Sequence, residues 1–133
     1  MKKIIIALIL ISLGYSTMAQ AYFSCTQRSV FVYNETTESY DLMQSYEETS
    51  LFELNENLTM FTHTTPNMKS TYYIKDQEYD EESSIYLFDV VSDVGNKYTY
   101  IFDLENKVIK VVFEDDNEIR MLLFTVKHMW YDE

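Results

Sequence analysis

Between Val90 and Phe113 the chain reads VVSDVGNKYTYIFDLENKVIKVVF, and this stretch limits the fold more than any other. Tyr98, Tyr100, Phe102 and Leu104 fall on one side of an extended backbone. Lys97, Thr99 and Asp103 fall on the other, with Ile101 the sole apolar side chain among them. A period of two is the pattern of a strand with one buried face, which places Asp103 in solvent beside Thr99. Gly95-Asn96 precedes the run and is suited to positive φ in a tight hairpin turn, and Glu105-Asn106 makes the next reversal.

The same grammar recurs along the chain. SVFVYN (29–34) alternates, and SLFELNENLTMFTHT holds two short strands around Asn55-Glu56-Asn57. Pro66-Asn67 reverses the chain before KSTYYIKD, the acidic loop QEYDEE leads into SSIYLFDVVSD, and the tip Asp115-Asp116-Asn117-Glu118 joins KVIKVVF to IRMLLFTVKHM. Segment 36–50 reads two ways: extended, with Tyr40, Leu42 and Tyr46 on one face, or helical, with Tyr40, Met43 and Tyr46 together. Strands at intervals of roughly 8 to 12 residues with turn signals between them predict an all-β, single-domain antiparallel meander of about eight or nine strands. It would form a small barrel or a two-layer sandwich, with a core drawn from Tyr98, Tyr100, Phe102, Ile109, Val111, Phe113, Leu122 and Phe124. In outline such a meander behind an export signal resembles calycin-type, lipocalin-like secreted proteins. The glycine–tryptophan motif of lipocalins is absent, the sole tryptophan being Trp130 near the C-terminal end.

Two strands depart from one-sided patterning. In SSIYLFDVV, Ile85, Leu87 and Val91 oppose Tyr86, Phe88 and Val90; in IRMLLFTV, Met121 and Leu123 oppose Leu122, Phe124 and Val126. A barrel covers only one face of such strands, so the other calls for a second layer, segment 36–50 or a partner, which makes a homodimer one expectation. Barrel closure also lacks its usual aid, because Gly95 is the only glycine after residue 21.

Lys2 and Lys3 followed by the apolar run Ile4–Leu13 form a secretory signal. That run is too short for a membrane span, which needs roughly 20 residues. Ala19-Gln20-Ala21 fits cleavage before Tyr22, and Thr17 with Ala19 fits cleavage before Gln20. Residues 1–21 therefore read as a cleaved signal peptide and 22–133 as one secreted or periplasmic domain of bacterial type. The alternative is a lipoprotein acylated at Cys25, for which Ser24 fits but Tyr22 and the distance from Leu13 do not.

Charge narrows the partners. Of ten Lys and Arg, Lys2 and Lys3 leave with the signal, so eight face 22 acids at a net −14. Such a surface repels nucleic acid and anionic lipid, since binding a phosphate backbone needs clustered cations. Cys25 is the only cysteine, so no internal disulfide forms. His63 and His128 lack metal-ligand spacing and read as surface residues on strands. The groups Glu78, Asp80, Glu81, Glu82 and Glu114, Asp115, Asp116, Glu118 lack the spacing of a calcium loop and read as solvated hairpin tips. No metal site and no cofactor is expected.

Two candidate sites remain. Asp89, embedded in YLFDVV, is the carboxylate on which a hydrolase reading would rest, paired with a second acid that the sequence does not identify. Tyr72, Tyr86, Tyr98 and Tyr100 lie on neighbouring strands and form either core or the aromatic lining of a ligand site. The expectation is a non-enzymatic binding module for a small apolar ligand or a partner protein.

Overall fold

The computed structural model describes residues 20–132, so the signal reading, apart from its Gln20-Ala21 end, lies outside the described residues. Eight strands run in sequence order: β1 (Ala21–Asn34), β2 (Ser39–Leu54), β3 (Met60–Thr64), β4 (Lys69–Asp80), β5 (Ile85–Ser92), β6 (Lys97–Asp103), β7 (Val108–Asp115) and β8 (Glu118–Tyr131). Each pairs antiparallel with the next, and β8 returns to β1, so the meander closes into a barrel. Segment 36–50 resolves as the end of the β1–β2 turn, to residue 38, and strand from Ser39 onward, continuous with the run that follows it.

No strand of the barrel contains glycine, and Gly95, at φ 91°, serves the β5–β6 turn. Register shifts fall between Cys25 and Gln27 of β1, at Met43 of β2, at Lys75 of β4 and at Lys127 of β8, and each such bulge bends its strand and sharpens the twist. Turn positions that glycine would normally take are held by other residues: Glu38, Leu58, Ser84 and Lys107 all have φ between 54° and 57°. Asp116 and Asn117, at φ 52° and 65°, make the two-residue turn of the β7–β8 hairpin. Asn34 and Asn55 fasten their turns with side-chain oxygens that accept backbone N–H groups, Thr36 and Thr37 in one case, Thr59 and Met60 in the other.

The Met43 bulge overturns one expectation. Leu42 lies opposite Phe31, whereas Gln44 lies opposite the adjacent Val30, so the extra residue inverts the pleat. Tyr40 and Leu42 consequently point outward while Tyr46, opposite Arg28, points inward.

The lumen is filled with phenylalanine. Phe52, Phe61, Phe88, Phe102 and Phe124 are buried to 2 % exposure or less, with Phe23, Ile109, Val111 and Tyr100 among them. Phe102 sits at the centre, its ring 5.2 to 5.9 Å from those of Phe23, Phe52, Phe61 and Phe88. Tyr98, Phe113 and Leu122 pack against this core at partial burial. Asp103 corrects the expectation that it faces water: it is buried, and its carboxylate accepts the Asn106 backbone N–H at 3.1 Å and the Asn106 side-chain amide at 2.9 Å. The last residue of a strand serves here as the cap of its turn, which pleat alternation alone does not reveal.

The strands are unequal in length, and this shapes the surface. β1 pairs with β2 over the whole hairpin, but β3 meets only Leu51–Leu54 of β2. The far edge of β2 from Ser39 to Ser50 therefore has no strand partner among the described residues.

Candidate functional site

Three of the four tyrosines singled out by the sequence converge. Tyr72 lies 5.7 Å from Tyr98 and 5.2 Å from Tyr100, ring centre to ring centre. Tyr86 stands apart, stacked on Tyr79 at 4.3 Å and on Phe88 at 5.7 Å. All four project into the barrel, and Tyr72, Tyr86 and Tyr100 are buried. Burial drives the Tyr86 and Tyr100 hydroxyls well above the ordinary tyrosine range, helped by neighbouring tyrosines, so they remain neutral hydrogen-bonding groups. Packed against the phenylalanine lumen, they belong to a filled interior.

Above that interior is a polar mouth that the sequence reading passed over. The bulge after Cys25 turns Arg28 inward, in a row with Phe124 and Tyr46. Its guanidinium lies 5.5 Å from the Phe124 ring centre and 3.3 Å from the carboxylate of Glu48. His63 was expected at the surface but is only 6 % exposed, whereas His128 is exposed. Phe52 stacks on the His63 ring, and Phe124 meets it edge-on at 4.9 Å. Burial, with the Arg28 charge adding to it, pushes this imidazole down to about 4. The inward placement was legible, because Phe61 and His63 are two residues apart in one strand. Arg28 was not, because the bulge that aims it has no glycine to mark it.

Cys25 is fully buried in mid-strand, opposite Ser50 of β2 and Val126 of β8. Burial pushes its thiol up to about 12, with the Ser50 hydroxyl offsetting a part. No group of three or more His, Cys, Asp or Glu side chains converges as a metal site among the described residues.

Asp89 lies on the outer wall, exposed, with its carboxylate accepting the Thr99 hydroxyl at 3.1 Å. It lines an open groove with Lys75 and Lys97, and no second carboxylate lines that groove among the described residues. A two-carboxylate hydrolysis needs two acids on either side of one bond, and this location supplies one.

The outer wall carries a larger feature. Across β7, β8, β1 and β2 the directly opposed residues Val112, Met121, Phe31 and Leu42 form one outward-facing apolar row. Tyr33 and Tyr40 continue it on the hairpin, their rings 5.2 Å apart. Leu42 and Met43 are 58 % and 63 % exposed, beside the open edge of β2. The second apolar face read in IRMLLFTV thus joins residues from three other strands. Comparison with protein-family models, curated proteins and solved structures finds no match to this chain.

Proposed function

We propose that this chain is an exported, non-enzymatic binding protein whose partner is another protein, held on the outer face and open edge of the β1–β2 hairpin. The observation that carries this reading is the row Val112–Met121–Phe31–Leu42, which runs without interruption into a strand edge that is unpaired among the described residues. Contiguous exposed apolar surface marks interaction sites, and a free edge offers backbone donors and acceptors for an added strand. A phenylalanine-filled lumen favours an outer-surface partner over a ligand enclosed at the barrel centre.

Charge selects the kind of partner. The hairpin carries Glu35, Glu38, Asp41, Glu47, Glu48 and Glu53 against Arg28 alone, so a second copy would set acids against acids. The partner is a strand or sheet edge with apolar residues alternating with lysine or arginine. Export rests on the Lys2, Lys3 and Ile4–Leu13 pattern. Burial of Cys25 favours a soluble product over lipid attachment, since acylation would free its sulfur from the core and remove Ala21–Ser24 from β1.

The test is an NMR titration of the 15N-labelled chain with the peptide acetyl-KVKVKVKV-amide. Shift changes and slowed amide exchange are expected at residues 39–50, and the double variant L42D/M43D should abolish them. Perturbation elsewhere, or none at millimolar peptide, would overturn the reading.

A further inference from the structure

The groove beside the β5–β6 turn has a volume of about 510 Å³, within the range of small-molecule sites, roughly 300 to 1,000 Å³. Its construction follows from register. Asp89, Thr99 and Val112 are directly opposed across β5, β6 and β7, and Val91 opposite Lys97 forms the next outward row. The β4 bulge adds Lys75, which has no opposed residue in β5 and is aimed into the groove. Tyr98 and Phe113, edge to face at 5.6 Å, close one side.

The chemistry of this lining is unusual for the molecule. On a chain with 22 acids, two of the few lysines face one concavity, and neither has a carboxylate within ion-pair distance among the described residues. The one acid present, Asp89, is engaged by the Thr99 hydroxyl. Two lysines against one carboxylate leave the groove net positive, and above valine and aromatic surface they match a molecule with one acidic head and an apolar body. We propose that the groove binds an amphipathic organic anion. Its acid group lies between Lys75 and Lys97, and its body rests on Val91 and Val112 against Tyr98 and Phe113. This site does not depend on the partner surface, although the two adjoin at Val112.

Fluorescence titration of the folded chain with 8-anilinonaphthalene-1-sulfonate, followed by displacement with decanoate, tests the proposal. Saturable binding of one dye per chain is expected, with displacement by decanoate but not by its uncharged analogue decanol. K75E/K97E should weaken dye and decanoate by about tenfold or more, with the melting temperature unchanged. L42D/M43D, on the partner surface, should leave both affinities as they are. The proposal fails if neither probe binds, if decanol displaces as well as decanoate, if K75E/K97E has no effect on affinity, or if L42D/M43D removes the binding instead. That last outcome would assign the dye to the hairpin, so failure of this site is distinguishable from failure of the partner reading.

Discussion

The imidazole of His63 lies flat on the ring of Phe52, with centres 4.0 Å apart and planes within 6° of parallel. That contact holds a titratable group inside an aromatic core, where burial lowers its pKa from 6.5 to about 4. Above pH 6.5 His63 is neutral in both folded and unfolded chains and contributes no pH dependence. Between 6.5 and 4 the unfolded chain takes up a proton that the folded one refuses, so stability falls with acid, by about 3 kcal/mol in all. Below 4 both forms are protonated and the loss stops growing. Urea unfolding of the wild type and H63Q from pH 7 to 4 should show this slope in the wild type and its absence in the variant. Parallel curves would refute the assignment.

Phe102 should be the costliest side chain to truncate. Four phenylalanine rings surround it and it is 1 % exposed, so Phe102→Ala loses both transfer free energy and the space left behind. A destabilisation of roughly 3 to 5 kcal/mol is expected by denaturant unfolding. A loss below about 1 kcal/mol would mean that the ring is not at the centre of the core.

Lys107 and Glu38 sit at φ near 55°, where a side chain is strained and glycine is not. Lys107→Gly and Glu38→Gly should each raise stability by about 0.5 to 1 kcal/mol, seen as higher melting temperatures. Gly95→Ala runs the opposite way. Its φ is 91° with open space where the new methyl would go, so the loss of about 1 kcal/mol comes from backbone strain without a clash.

Cys25, buried and with its thiol near 12, should react with Ellman's reagent only when the barrel unfolds. Full modification in urea against none in buffer is the expected pair of results; rapid labelling of the native chain would contradict the burial. Ala21 opposes both Leu54 and Tyr131, and the Gln20 carbonyl accepts the Asp132 N–H at 3.0 Å. Intact-mass measurement should therefore give an unacylated chain starting at Gln20, the earlier of the two cleavage points, in place of a start at Tyr22 that would remove Ala21 from β1. A diacylated mass starting at Cys25 would refute soluble export.

The all-β class and most of the strands were legible in the sequence because, outside segment 36–50, each strand carries a period of two or a short apolar run and each turn its own punctuation. In KYTYIFDL the inward side is the aromatic one, and the structure keeps it there. Where a bulge interrupts the period, local reading fails. Met43 inverts the face of Tyr40 and Leu42, the irregularity after Cys25 turns Arg28 into the mouth, and Lys75 enters the groove by the same device. None of these positions is glycine, and nothing in the surrounding residues distinguishes a bulge from regular strand.

The sequence by itself determined an all-β meander, its turns and much of its core, because those depend on side chains a few residues apart. Closure of β8 onto β1, the filling of the lumen by rings from several strands, and the alignment of Val112, Met121, Phe31 and Leu42 were decided only by tertiary structure. Each depends on the register between strands distant in sequence. Register is set by the sum of many cross-strand contacts and bulges, and a one-residue slip would send every side chain to the opposite face.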